Sequence, residues 1–166
     1  MVNIRRWVKH FFHPPWALRH RFSKGVLKVL GEAIRSSEKK HAGEIRFVVE
    51  ATLPFRPLAA GQSPRERAVD LFSRLRVWDT EHNNGVLIYV LLADRDVEIL
   101  ADRGLNKRIS PAEWESVCRS MEAHFRKGDF ENGSLAGIDG ATQLLARHFP
   151  PQGAHPNELP DTPAIL

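Results

Sequence analysis

The sequence predicts an α/β fold: a three-layer α/β/α sandwich around a small mixed sheet, with four or five helices. Three features carry this expectation. Val86 to Leu92 is an unbroken apolar run after Gly85 with no helical polar face, as in a central strand covered on both sides. Val97, Ile99 and Ala101 alternate with Glu98 after the polar turn Ala93 to Asp96, which makes a hairpin with one buried face on its second strand. Upstream, Ile45, Phe47, Val49 and Ala51 alternate with Arg46 and Glu50, giving a first strand over Glu44 to Thr52.

The helices follow in chain order. Ser23 can cap a helix to about Lys39, with Val26, Leu27, Leu30, Ala33 and Ile34 on one face. Residues 53 to 62, with Pro54, Pro57 and Gly61, form a loop. Ser63-Pro64-Arg65-Glu66 is a capping box with proline at the first helical position, followed by the stripe Ala68, Leu71, Phe72 and Leu75. This helix joins two strands, so the connection is a right-handed crossover and the strands are parallel. Ser110-Pro111-Ala112-Glu113 repeats the capping arrangement, and Trp114, Val117, Cys118, Met121 and Phe125 share one face. Gly128 ends that helix, and a last one is expected from Ser134 to about His148, stopped by Pro150-Pro151.

At 166 residues and 42% hydrophobic composition, the chain can bury one core, flanked by a basic aromatic segment at 1–22 and a Pro-rich tail at 150–166. The tail is expected to be disordered. Seven of the 24 bases precede the first acid, Glu32, leaving 17 for the rest against 20 acids. The high pI therefore belongs to the N-terminal segment, which argues against a nucleic-acid groove in the domain. The lone Cys118 fits a reducing compartment, and as a small residue on an apolar face it reads as core rather than as a nucleophile. The chain has neither a run long enough to span a bilayer nor a signal-peptide core, so a cytoplasmic protein is expected.

Residues 1–22 interleave Trp7, Phe11, Phe12, Trp16 and Phe22 with Arg5, Arg6, Lys9, Arg19 and Arg21. Such a mixture suits an anionic membrane surface, at the inner face, or a groove on an unidentified protein partner; packing on its own domain is the simpler alternative. Pro14-Pro15 separates His10 and His13 from His20 and argues against a metal set there. The polar loop Trp78 to Gly85 borders the central strand, and the hairpin returns Asp102 to the same edge. Asp79, Asn83, Asn84 and Asp102 thus form a candidate oxygen site for Ca²⁺ or Mg²⁺. The alternative is that Asn83 and Asn84 only tie down the loop while Gly85 admits the strand.

Gly43-Glu44-Ile45-Arg46, Asn83-Asn84-Gly85-Val86-Leu87, Asp94-Arg95 and Phe125-Arg126-Lys127-Gly128-Asp129-Phe130 with Gly133 resemble the successive signature blocks of the TPM domain family, from about Ser23 to Phe149. The resemblance implies a divalent cation, Ca²⁺ first, bound in an acidic cleft shaped by Gly85, Asp94, Arg95, Gly104 and Asp129. For chloroplast members it also implies acid phosphatase activity linked to photosystem II repair. Where many members have Gly-aromatic-Gly, this chain has Asp102-Arg103-Gly104, so Asp102 can supply a carboxylate of its own. The secretory signal and C-terminal membrane helix of many members are not found here. No Cys-x5-Arg loop, Gly-x-Ser-x-Gly elbow, P-loop or dinucleotide fingerprint occurs. Hydrolysis of phosphate monoesters would need the ion and either a nucleophilic Asp, Asp94 or Asp79 with nothing to select between them, or an activated water; His82 could act as an acid, although a surface histidine with no role is the commoner case. The leading expectation is a domain that binds a cation and works through a partner; metal-dependent phosphatase and purely structural module are the alternatives.

Overall fold

A computed structural model describes residues 4–153 and 156–166. Its centre is a four-stranded mixed sheet in the order β3-β2-β1-β4, formed by β1 (Glu44–Glu50), β2 (Gly85–Leu91), β3 (Asp96–Ala101) and the short β4 (Ala164–Ile165). β1 runs parallel to β2, in register from Glu44↔Gly85 to Glu50↔Leu91, and β3 returns antiparallel on β2. This is the expected crossover plus hairpin.

The helices are α1 (Ile4–Phe11), α2 (Pro15–Arg21), α3 (Lys24–Glu38), α4 (Phe55–Ala59), α5 (Pro64–Arg74), α6 (Arg103–Asn106), α7 (Pro111–Arg126) and α8 (Phe130–His148). The excess over the expected number comes from α1, α2 and the short α4 and α6, which lack an apolar period long enough to read. None of the described helices is long and apolar enough to cross a membrane.

β2 explains the layering. Val86, Ile88 and Val90 enter a core with Leu30, Ile34, Trp114, Val117, Met121 and Leu145, whereas Leu87, Tyr89 and Leu91 enter a second core with Leu58, Ala68, Leu71 and Val77. Side chains alternate across a strand, so an unbroken apolar run requires cover on both faces. Each large side chain so buried contributes roughly 1.5–3 kcal/mol. β3 is an edge strand, and Arg65 blunts it by donating to the Ile99 carbonyl at 2.8 Å and to Glu98 at 3.0 Å.

Both capping boxes form, at Ser63 with Glu66 and at Ser110 with Glu113. The last helix starts at Phe130, earlier than Ser134, because Asp129 caps it by accepting from the Asn132 amide. Gly133 and Gly137, which look like breaks, are buried where Cβ atoms would meet Phe125 at 2.6 Å and the Met121 sulfur at 2.3 Å, so they allow α8 to approach α7.

The tail expected to be disordered is instead pinned to β1. The Glu44 carboxylate accepts from the amides of Glu158 (3.3 Å) and Leu159 (3.2 Å), and Arg46 donates to the carbonyls of Pro160 (2.9 Å) and Thr162 (2.5 Å). Leu159 fills the second core, Arg35 holds Asp161, and Ala164 and Ile165 pair with Val48 and Val49. These contacts use backbone groups of a proline-rich stretch, so they leave no apolar period in the sequence.

Candidate functional site

The two polar ends of the β2–β3 hairpin are separate, with roughly 3.3 Å per residue along β2 between them. At the first end, the loop before β2 lies against the chain that follows β3. Asn83 adopts a left-handed backbone (φ 53°), its carbonyl accepts from the Gly104 amide at 3.2 Å, and its Oδ1 accepts from Arg103 Nε at 3.2 Å. A Cβ on Gly104 would lie 2.4 Å from the Asn83 carbonyl oxygen, and one on Gly85 would lie 2.1 Å from that of Val77. Both positions therefore require glycine for close approach.

This geometry joins Asn83, Gly85, Asp102 and Gly104, but it engages the remaining candidate ligands differently. Asp79 is ion-paired with Arg76. Asn84 donates from its side-chain amide to the Ala42 carbonyl, on the β1 side, and its backbone amide donates to Thr80 Oγ1 at 3.1 Å. Asp102 caps α6, with Oδ1 accepting from the Arg103 amide at 2.6 Å. Asn84 Oδ1 and Asp102 Oδ2 are buried and accept no hydrogen bond from the described residues. His82 is exposed. Among the described residues, no group of three or more His, Cys, Asp and Glu side chains is placed to hold a metal ion.

At the other end Asp94 and Arg95 occupy the hairpin turn, Arg95 with φ 56°. α1 packs onto this turn. Arg6 donates to Asp94 Oδ2 from Nε (2.9 Å) and Nη2 (2.7 Å), and His10 Nε2 lies 3.1 Å from Asp94 Oδ1. His10 Nδ1 accepts from the Leu53 amide at 3.0 Å, so the proton sits on Nε2 and points at Asp94. Burial works against ionisation of Asp94, yet the hydrogen bonds from Arg6 and His10 prevail and hold its carboxyl below the usual range. Asp96 is different: burial, with Glu98, Glu122 and Asp94 nearby, lifts it to about 6. Asp129 stands at the α8 cap next to Phe130, and its hydrogen bonds with Asn132 lower its pKa.

The structure thus brings the Asp94-Arg95 turn and the Phe125–Phe130 block to one end, and both line a cavity of about 740 Å³ that α1 and α2 cover. The Asn83-Asn84-Gly85 block belongs to the opposite end.

Two buried networks escaped the sequence reading. Arg67 grips Glu50 through Nε (2.9 Å) and Nη2 (2.7 Å), and Tyr89 donates to Glu50 Oε2 at 2.7 Å. Strand parity carries the signal for this one: Glu50 and Tyr89 share the face of Val48. In the other, His41 Nδ1 accepts from the Gly43 amide (3.1 Å), so Nε2 carries the proton and donates to Ser37 Oγ (2.8 Å). Ser37 in turn donates to Thr142 Oγ1 (2.6 Å), which donates to the Ile138 carbonyl (2.6 Å). In this arrangement the imidazole cannot take the serine proton, and the chain of bonds ties α3 to α8.

The sequence profile of the TPM domain family matches residues 19–144, a span that excludes α1 and most of α2. Among solved structures, the NMR structure of the BA42 protein from the psychrophilic bacterium Bizionia argentinensis is 33% identical, with a TM-score of 0.74 over 87% of this chain and 94% of that one. The N-terminal domain of a P. gingivalis protein, at 20% identity and a TM-score of 0.64 over 81% and 82% of the two chains, shares the fold. No curated protein matches the chain.

Proposed function

The chain belongs to the TPM domain family, and on that premise we propose that it is a binding domain seated on an anionic membrane surface by α1 and α2. One observation carries this reading: the exposed apolar stripe of α1. Ile4, Val8 and Phe11, at i, i+4 and i+7, face outward with exposures of 76%, 50% and 82%, while Arg6 and His10 turn inward to Asp94. Phe12 (73%) and Trp16 (69%) extend the outward stripe, and Arg5, Lys9 and Arg19 are exposed beside it. Trp7 packs inward, on Phe55 and the second core, whereas the stripe Ile4, Val8 and Phe11 is left uncovered by the domain and open to another surface. Bulky apolar residues flanked by bases suit the acidic interface of a bilayer. The cytoplasmic leaflet is the site of action in this reading. Co-sedimentation with phosphatidylcholine vesicles, with and without phosphatidylglycerol, tests it: the acidic vesicles retain the chain and the neutral ones do not. Retention by neither leaves a protein partner for the same stripe.

A second reading, a divalent cation at the rim, is supported by the unpartnered oxygens of Asp102 and Asn84. Those two would hold the ion, Ca²⁺ or Mg²⁺, with Asp79 and Asn83 joining only if Arg76 and Arg103 release them. When bound, the ion would supply charge to polarise an oxyanion. Calorimetric Ca²⁺ titration of the chain and of Asp102→Asn tests this: heat that is absent, or unchanged by the substitution, removes the site. Phosphate-ester hydrolysis assayed with and without the ion tests the phosphatase alternative.

A further inference from the structure

The cavity of about 740 Å³ at the hairpin turn has the size of a small-molecule site. Cations from four separate elements line it: Lys9 of α1, Arg21 of α2, Arg95 of the turn and Arg126 of α7. Asp96 and Glu122 are its acids, and Glu122 already pairs with Arg126 at 3.4 Å. His13 also lines the cavity, with Nε2 buried and without a hydrogen-bond partner among the described residues. Burial, and then the charge of Arg21, push the His13 pKa down.

The remaining walls are apolar and fixed. Phe125 stacks on Phe130 at 5.1 Å, and the Arg21 guanidinium sits 4.7 Å above the Phe130 ring. Val8 and Phe12 line the cavity too, yet they are 50% and 73% exposed. The mouth therefore adjoins the outward stripe of α1.

We propose that this cavity takes the headgroup and first carbons of a single acidic amphiphile, an anionic head on an acyl chain, drawn from the membrane on which α1 docks. The inference rests on the docking reading. An excess of cations in a concave site concentrates positive potential, and guanidinium groups pair with oxyanions. A neutral ligand would leave those cations unmatched, and a wholly polar anion would leave Phe12, Phe125 and Phe130 uncovered. An acyl chain leaving past Val8 and Phe12 satisfies both.

The test uses soluble lipid without vesicles: calorimetry and amide NMR of the full chain with dihexanoyl phosphatidylglycerol below its micellar concentration, against dihexanoyl phosphatidylcholine and inorganic phosphate. The acidic lipid binds at least about tenfold more tightly than either control and shifts the signals of His13, Arg95 and Arg126. Arg95→Gln and Arg126→Gln, both exposed positions, each weaken it about fivefold to tenfold. Equal binding of the two lipids, phosphate binding as tightly as the acidic lipid, or indifference to both substitutions overturns the proposal. A chain that pellets with acidic vesicles but binds no soluble lipid refutes the cavity alone. One that binds soluble lipid without pelleting refutes the docking reading instead.

Discussion

Arg6 and Asp94, 88 residues apart, meet in an ion pair at 2.7 Å that fastens α1, outside the family span, to the hairpin turn inside it. Both side chains are mostly buried, so removing the Asp94 charge takes the carboxylate counter-ion from a guanidinium that keeps its bond to the Gln62 carbonyl at 2.6 Å. Asp94→Asn is expected to lower stability by about 1–3 kcal/mol and to free α1, seen as faster amide exchange over residues 4–12. The folded pKa of Asp94 lies below its ordinary 3.8, so its contribution is present above that value and is lost as pH falls through the folded pKa. The variant should therefore lose less stability on acidification than the parent chain does.

Glu38 titrates in the opposite sense. Burial, reinforced by Glu44 and Asp161 against the bond from the Ile45 amide, lifts its carboxyl from 4.5 to about 8. The folded chain holds this proton over a range where the unfolded chain has released it, so stability declines as pH rises from about 4.5 to about 8. Glu38→Gln keeps an acceptor for Ile45 and removes the charge. Urea unfolding should show it more stable than the parent by about 1–3 kcal/mol at pH 8.5 and equal to it near pH 4.

The buried Glu50–Arg67–Tyr89 cluster gives a graded series. Tyr89→Phe removes one hydrogen bond and should cost about 1–2 kcal/mol. Glu50→Ala takes the bidentate carboxylate from the buried Arg67 guanidinium, which keeps Asp70 at 2.9 Å, and should cost about 3–5 kcal/mol, measured by denaturant midpoint.

Burial, with Glu98 nearby, pushes the Cys118 thiol up to about 12. Its alkylation at pH 8 should be at least about a hundredfold slower in the native chain than after unfolding, because the thiolate is the reactive form. Native-state labelling at the unfolded rate would place the thiol outside the core.

The sheet and its capped helices were legible because they depend on local periods: the run from Val86, the alternation from Ile45, and the two Ser-Pro-x-Glu caps. The rim was legible in part. The hairpin does return Asp102 and Gly104 to Asn83, but Arg76 and Arg103, whose guanidinium groups engage Asp79 and Asn83, carry no positional signature in one dimension. The pairing of α1 with the turn was hidden for another reason. Its inward residues, Arg6, Trp7 and His10, and its outward ones, Ile4, Arg5, Val8, Lys9 and Phe11, each mix polar with apolar side chains, so no single stripe in the sequence marks the buried face. The C-terminal strand, pinned through backbone amides and carbonyls, gives no pattern at all.

The most direct measurement is vesicle co-sedimentation of the chain beside a Phe11→Ser, Trp16→Ser double variant, on phosphatidylglycerol-containing vesicles at low and high salt. Both side chains are exposed, so the variant keeps the fold. The parent chain should pellet at low salt and less at high salt, and the double variant should stay in solution with unchanged thermal stability. Equal pelleting of the two proteins would contradict docking through α1 and α2.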